Sequence, residues 1–289
     1  MALAVPPASY ADRFVTANGA KLHFQDWNGP AGAPTLLMVH GITMQSHAFD
    51  PVAAALKQRY RCLAMDLRGH GDSAWTEPPA YAYTDYSGDV LALLDALAID
   101  KVHYLGTSLG GRIGMTIAAS HPERLASVAL NDISPEQAGA GLARIAEVFG
   151  AERPPLPSVE AYVEQVLLVY ARRMKALPRE MLVQAARWHL RPVPGGFRPK
   201  FDPRALRRLG DEAALAAGTE MLWRGFRALR CPLLLIRGKL SDILLPEAVR
   251  LMQAAQPAMK VVEVPGVGHP PALVEPAAQQ ALAAFLPGE

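Results

Sequence analysis

The sequence predicts an α/β protein with a mostly parallel central sheet, helices on its faces and a helical segment inserted between two halves of that sheet. Three observations carry this. Short apolar runs recur through the first 130 residues, the run 35–39 being continuous and 125–130 another strand-like stretch. A run without polar alternation marks a strand buried on both faces, which is the condition of a parallel sheet. These runs alternate with segments of helical periodicity, the rhythm of a sheet with helices packed on both sides. The rhythm stops at Asn131 and resumes only near Cys231.

Taken in order, residues 12–16 and 21–27 alternate in polarity and are joined by Asn18-Gly19, a pair suited to a tight hairpin turn. The apolar run 35–39 is the next strand, 48–60 a helix and 61–65 another strand. Residues 84–97 place Val90, Leu91, Leu93, Leu94 and Leu97 at helical spacing. Strand 101–105, helix 109–120 closed by Pro122, and strand 125–130 follow. From Ser134 to Gly225 only helical segments and proline-rich loops are expected. The chain thus divides into a core of residues 1–133 and 226–289 and a cap of residues 134–225. The closing elements are strand 231–237, helix 247–255, strand 260–264 and helix 275–286.

Bulk properties narrow the function. The 289 residues suit one large domain with an inserted lobe. A formal net charge of +2 gives no electrostatic footprint for nucleic acid. No apolar stretch reaches the roughly 20 residues that cross a bilayer. The first ten residues lack the basic start and long apolar run of a signal peptide, so the cytoplasm is the default expectation. Cys62 and Cys231 adjoin strand-like runs and read as small buried apolar groups, with neither disulfide nor metal spacing. No metal or other cofactor is expected.

The chemistry centres on Gly106-Thr107-Ser108-Leu109-Gly110-Gly111, between a strand and a helix. This G-x-S-x-G pattern bends the chain so sharply that the residues flanking the serine nearly touch, which calls for glycine. The bend lifts the hydroxyl of Ser108 above the sheet as a nucleophile, in a strained backbone conformation. A serine hydroxyl needs a base beside it at neutral pH. His269 lies in a loop after the strand 260–264 and is the expected base. The acid that orients it should precede it and follow an earlier strand. Asp242 follows one and is the expected acid; Asp132 follows another and is the alternative. Backbone N–H groups of Leu109 and Ile42 are the expected oxyanion donors, and His40 is assigned a structural role.

The order His40-Gly41, Asp66–Ser73, Gly106–Gly111, Asp242 and His269 resembles the lid-bearing branch of the α/β-hydrolase fold superfamily over nearly the whole chain. Gly106–Gly111, Asn131–Pro135 and Arg237–Asp242 are similar to its esterase and enol-lactonase-like members. The resemblance implies a serine hydrolase that cleaves a small carboxylic ester or lactone through an acyl-enzyme. Dehalogenases and epoxide hydrolases of this fold carry aspartate where this chain has Ser108. Its C–C bond hydrolases differ at Thr107 and Pro270. Hydrolysis of a C–C bond or amide in ring catabolism is the alternative activity, and a slow-turnover ligand receptor the alternative from another class.

Substrate choice falls to the cap and loops. Residues 172–208 hold nine arginines and two lysines against Glu180 and Asp202. Such a basic lobe would draw an anionic small molecule, whereas ordinary solvated helix faces would show the same composition. Arg112, one helical turn after Ser108, is placed to reach a substrate carboxylate or hold Asp132. Trp188 and Trp223, with Phe197 and Met221, are candidates for an apolar substrate pocket or for plain core. Oligomeric state is not legible in the sequence.

Overall fold

A computed structural model describes residues 9–136, 139–170, 178–210 and 212–286. Its frame is an eight-stranded sheet in the order β1-β2-β4-β3-β5-β6-β9-β10. The strands are β1 (Ala11–Ala17), β2 (Ala20–Asp26), β3 (Thr35–Val39), β4 (Arg61–Met65), β5 (Val102–Thr107), β6 (Leu125–Asn131), β9 (Leu233–Gly238) and β10 (Lys260–Val264). Only β2 runs against the others, since it pairs antiparallel with both β1 and β4. The β1–β2 turn is made by Asn18 and Gly19, both at positive φ, as a two-residue hairpin requires.

Successive side chains of a strand point to opposite faces, and both faces here are covered. Leu37 and Val39 of β3 belong to one apolar cluster, Leu36 and Met38 to the other. Helices α1 (Asp50–Leu56) and α10 (Pro276–Phe285) cover the second face. The first is covered by α2 (Tyr83–Ala96), α3 (Leu109–Ser120), α8 (Glu212–Ala228) and α9 (Pro246–Ala255). Cys62 lies fully buried in β4, where burial pushes its thiol up to about 12, so it packs as an apolar group.

Between β6 and β9 come α4 (Gly139–Gly150), α5 (Val159–Tyr162), a π-turn at Val163–Leu167, α6 (Leu168–Tyr170) and α7 (Arg179–His189). Val148, Tyr162, Val163, Val166, Leu182 and Leu190 give this segment its own apolar cluster. Two features depart from the sequence expectation. The segment contains a hairpin, β7 (Leu190–Val193) with β8 (Gly196–Pro199). Its turn is Pro194-Gly195, with Gly195 at positive φ, so the proline-glycine run folds back instead of forming an open loop. Helix α8 also runs through residue 225 without a break, because Leu222 and Phe226 are buried in the main core.

The segment Asp66–Ser73 is a buried staple. Asp66 accepts hydrogen bonds from the Ser46 N–H (2.6 Å), His23 Nδ1 (2.7 Å) and the Asp72 N–H (2.9 Å). Burial opposes its ionisation, but those bonds and the nearby histidines hold its carboxyl down to about 2. Arg68 grips Asp89 of α2 with two bonds of 2.6 and 2.5 Å, both side chains being buried.

Candidate active site

Five loops leaving the C-terminal ends of the neighbouring strands β3, β5, β6, β9 and β10 build the site, the place where open α/β sheets put their chemistry. Ser108 follows β5 and begins α3 with φ 50° and ψ −112°. Such a conformation is costly for a side chain with a Cβ and persists only where neighbours enforce it. The enforcement is close packing. A Cβ on Gly106 would lie 2.5 Å from the Gly111 nitrogen, and one on Gly110 would lie 2.0 Å from the Val39 carbonyl oxygen.

His269, in the loop after β10, is buried between two partners. Its Nε2 lies 2.9 Å from Ser108 Oγ and its Nδ1 lies 2.7 Å from Asp132 Oδ2. A carboxylate only accepts, so the imidazole proton sits on Nδ1 and Nε2 is left to accept from the serine hydroxyl. Asp132 is fully buried and at positive φ (57°), directly after β6. Its Oδ1 accepts from the Gly238 N–H (2.8 Å) and its Oδ2 also accepts from Ser241 Oγ (2.6 Å). The loop after β9 therefore fixes the carboxylate that fixes the imidazole.

The expected pairing of His269 with Asp242 is corrected by this geometry. Asp242 stands four residues beyond the end of β9, and its carboxylate meets Arg144 of α4 at 2.6 and 2.7 Å. Burial pushes the Asp242 carboxyl up, but the bonds and charge of Arg144 hold it below the ordinary value. Asp132, the alternative acid, occupies the place beside the imidazole.

Helix α3 begins at Leu109, so its first N–H groups have no intrahelical acceptor. Among the described residues, neither the Leu109 nor the Ile42 N–H donates to a backbone acceptor outside regular elements. Gly41 lets the Ile42 loop approach, since a Cβ there would lie 3.2 Å from that of Ser108. His40 braces this loop from below. Its Nε2 accepts from the Leu67 N–H (3.0 Å), so Nδ1 carries the proton and donates to the Gly41 carbonyl (2.7 Å).

The remaining candidates go to the seam between cap and core. Arg112 donates to the Ser134 and Glu136 carbonyls (3.4 and 3.0 Å) and to the Tyr83 hydroxyl (3.2 Å), holding the start of the cap and not Asp132. Trp223 donates to Glu136 Oε1 at 2.7 Å. Trp188 stacks on His47 at 3.7 Å and is 41% exposed, a clasp between α7 and the segment before α1. Three cations of the basic stretch are paired with carboxylates. Arg179 pairs with Glu164, Lys200 with Asp72, and Arg204 with Asp202 and Glu77. Arg191 lies over Trp75. Arg172, Arg173 and Lys175 lie outside the described residues.

Two cap residues escaped the sequence reading. Tyr170 donates its hydroxyl to the His269 carbonyl at 3.0 Å, and Arg144 lies over its ring at 4.2 Å. Asn131, at the end of β6, adds a second brace by donating to the Pro271 carbonyl (2.9 Å). Tyr170 and Arg144 stand in no motif, whereas Asn131 lies in the segment Asn131–Pro135 that carries the resemblance.

A buried serine, imidazole and carboxylate on the C-terminal edge of a parallel sheet, beneath a helical insertion, define a hydrolase class. The chain belongs to the alpha/beta hydrolase fold family, whose model matches residues 34–276. It is 33% identical over 266 residues to the 3-hydroxybutyrate-oligomer hydrolase of Cupriavidus necator, covering 89% of each chain. It is 32% identical over 244 residues to the 2-(acetamidomethylene)succinate hydrolase of Mesorhizobium japonicum, covering 82% of this chain and 81% of that relative. A crystal structure of an alpha/beta hydrolase from Novosphingobium aromaticivorans superposes with a TM-score of 0.81 at 30% identity, over 97% of this chain and 99% of that one. The protein is an enzyme of this family and a hydrolase. Among the described residues no helix is long and apolar enough to cross a membrane.

Proposed function

We propose that the enzyme is a serine hydrolase that cleaves a small carboxylic ester or lactone through an acyl-enzyme. One observation carries the reading: His269 bridges Ser108 and Asp132 with bonds of 2.9 and 2.7 Å in the tautomer that general-base catalysis needs. Ser108 Oγ attacks the carbonyl carbon while its proton passes to Nε2. Asp132 stabilises the imidazolium, and the Leu109 and Ile42 N–H groups receive the oxyanion. As the tetrahedral intermediate collapses, Nε2 returns the proton to the leaving alcohol. Water then attacks the acyl group, gives its proton to Nε2, and Ser108 leaves with that proton restored. The part of segment 134–225 that precedes α8 serves as the cap over this site.

The same steps would release an amine from an amide. The likeness to the 2-(acetamidomethylene)succinate hydrolase of Mesorhizobium japonicum, whose substrate carries an acetamide group, favours that second reading. Short-chain 4-nitrophenyl esters and the matching 4-nitroanilides separate the two. The ester reading expects a kcat/KM for the ester at least a hundredfold above that of the anilide. Equal values would favour amide hydrolysis. Absence of turnover on both, with a ligand retained, would favour a receptor.

A further inference from the structure

We propose that Arg144 is the specificity-determining residue of this site: its guanidinium binds a free carboxylate on the substrate, and Asp242 occupies that position until substrate arrives. The inference rests on the hydrolase reading above and names its substrate class, a small ester that bears a second, ionised carboxyl group.

Geometry supports the exchange. Arg144 presents Nε and Nη2 to the two oxygens of Asp242 at 2.7 and 2.6 Å, the planar fork that any carboxylate can occupy. The two partners are unequally buried. The Arg144 side chain is 14% exposed and that of Asp242 is 38% exposed. Releasing Asp242 to solvent therefore costs little, whereas Arg144 must be paired wherever it stays.

Arg144 is also held without Asp242. Its Nη1 donates to the Tyr170 carbonyl at 3.3 Å and its guanidinium lies over the Tyr170 ring. The carboxylate can leave while the cation remains in place. The location fits a substrate group, because the phenol of Tyr170 donates to the carbonyl of His269 itself. The cations of the basic stretch suit the task less well. Arg179, Lys200 and Arg204 pair with carboxylates remote in sequence from the His269 loop, and Arg112 holds backbone carbonyls of the cap.

The test compares mono-4-nitrophenyl glutarate, which is anionic, with neutral 4-nitrophenyl pentanoate. The readout is the ratio of their kcat/KM values in wild type, R144Q, R144K and D242N. Glutarate binding to S108A and to S108A/R144Q, by calorimetry, supplies a second readout that needs no turnover. We expect R144Q to lower the ratio at least tenfold, R144K to restore part of it, and D242N to raise it at least threefold by removing the charged competitor. Glutarate should bind at least tenfold more weakly when Arg144 is replaced. A ratio that stays within twofold of wild type in R144Q, with glutarate binding unaltered, overturns the proposal while leaving the hydrolase reading intact. Glutarate binding that depends on Arg144 without turnover of either ester would support the anion site and refute the hydrolase reading. If R144Q does not fold, R144K and D242N decide by the same ratios.

Discussion

Replacing Asp132 by asparagine should cost about 10⁴-fold in kcat/KM, and the structure shows why. Asp132 accepts from Gly238 N–H, Ser241 Oγ and His269 Nδ1 at 2.8, 2.6 and 2.7 Å. An asparagine must turn its one oxygen toward the Gly238 N–H, because an amide NH₂ there would face another donor. Its NH₂ group then points at His269 Nδ1 and donates to it. The imidazole proton moves to Nε2, which can no longer accept from Ser108. Amide replacement of the acid in other serine triads costs ~10⁴-fold, or about 5.4 kcal/mol of transition-state stabilisation. Asp242→Asn instead weakens a partly exposed ion pair worth about 1 kcal/mol or less, which caps its effect on a neutral ester at roughly fivefold. Steady-state hydrolysis of 4-nitrophenyl butyrate by both variants, with circular dichroism to establish folding, makes the comparison. A larger loss in Asp242→Asn than in Asp132→Asn would refute the assignment of the acid.

Other consequences follow from single contacts. Tyr170→Phe removes the bond to the His269 carbonyl, worth about 0.5–1.5 kcal/mol, so kcat should fall roughly two- to tenfold with little change in KM; steady-state kinetics on the same ester would show it. Arg68→Ala strands Asp89 uncompensated in the core, at a cost of about 3–5 kcal/mol that denaturant unfolding would measure. Burial, with a smaller contribution from His40, pushes His70 down to about 3, and His40 is lowered by burial as well. A histidine lowered in the fold stays neutral while the unfolded chain takes up the proton, so stability is lost as pH falls below 6.5. Each contributes a slope of about 1.4 kcal/mol per pH unit between pH 6.5 and its folded value. His23, whose pKa is raised, titrates above 6.5 and adds nothing to that slope. The melting temperature should therefore drop between pH 6.5 and 4.5, and His70→Gln should flatten the drop.

The sheet was legible because burial on both faces leaves no polar alternation, as β3 illustrates with the apolar run Leu36–Val39. Ser108 was legible because its glycines answer a steric need, and the clashes that Gly106 and Gly110 avoid are backbone clashes. The choice between two acids was not. Asp132 and Asp242 both follow the ends of adjacent parallel strands, and strand order alone cannot rank them. Register does: Asn131 stands beside Ile236, so Asp132 lies level with Arg237, next to Gly238, whereas Asp242 stands four residues beyond the strand. The partner that removes Asp242 from the site, Arg144, is 98 residues away in the chain. The pairing of the basic stretch was illegible for a similar reason: Glu164, Asp72 and Glu77, which pair with Arg179, Lys200 and Arg204, lie outside the stretch, so a local count misses them.

Mass spectrometry of the enzyme quenched during turnover of 4-nitrophenyl acetate tests the covalent step itself. One acetyl group should be found on the peptide containing Ser108, in wild type and absent from Ser108→Ala. Acetylation at another residue, or full turnover by Ser108→Ala, would contradict the account.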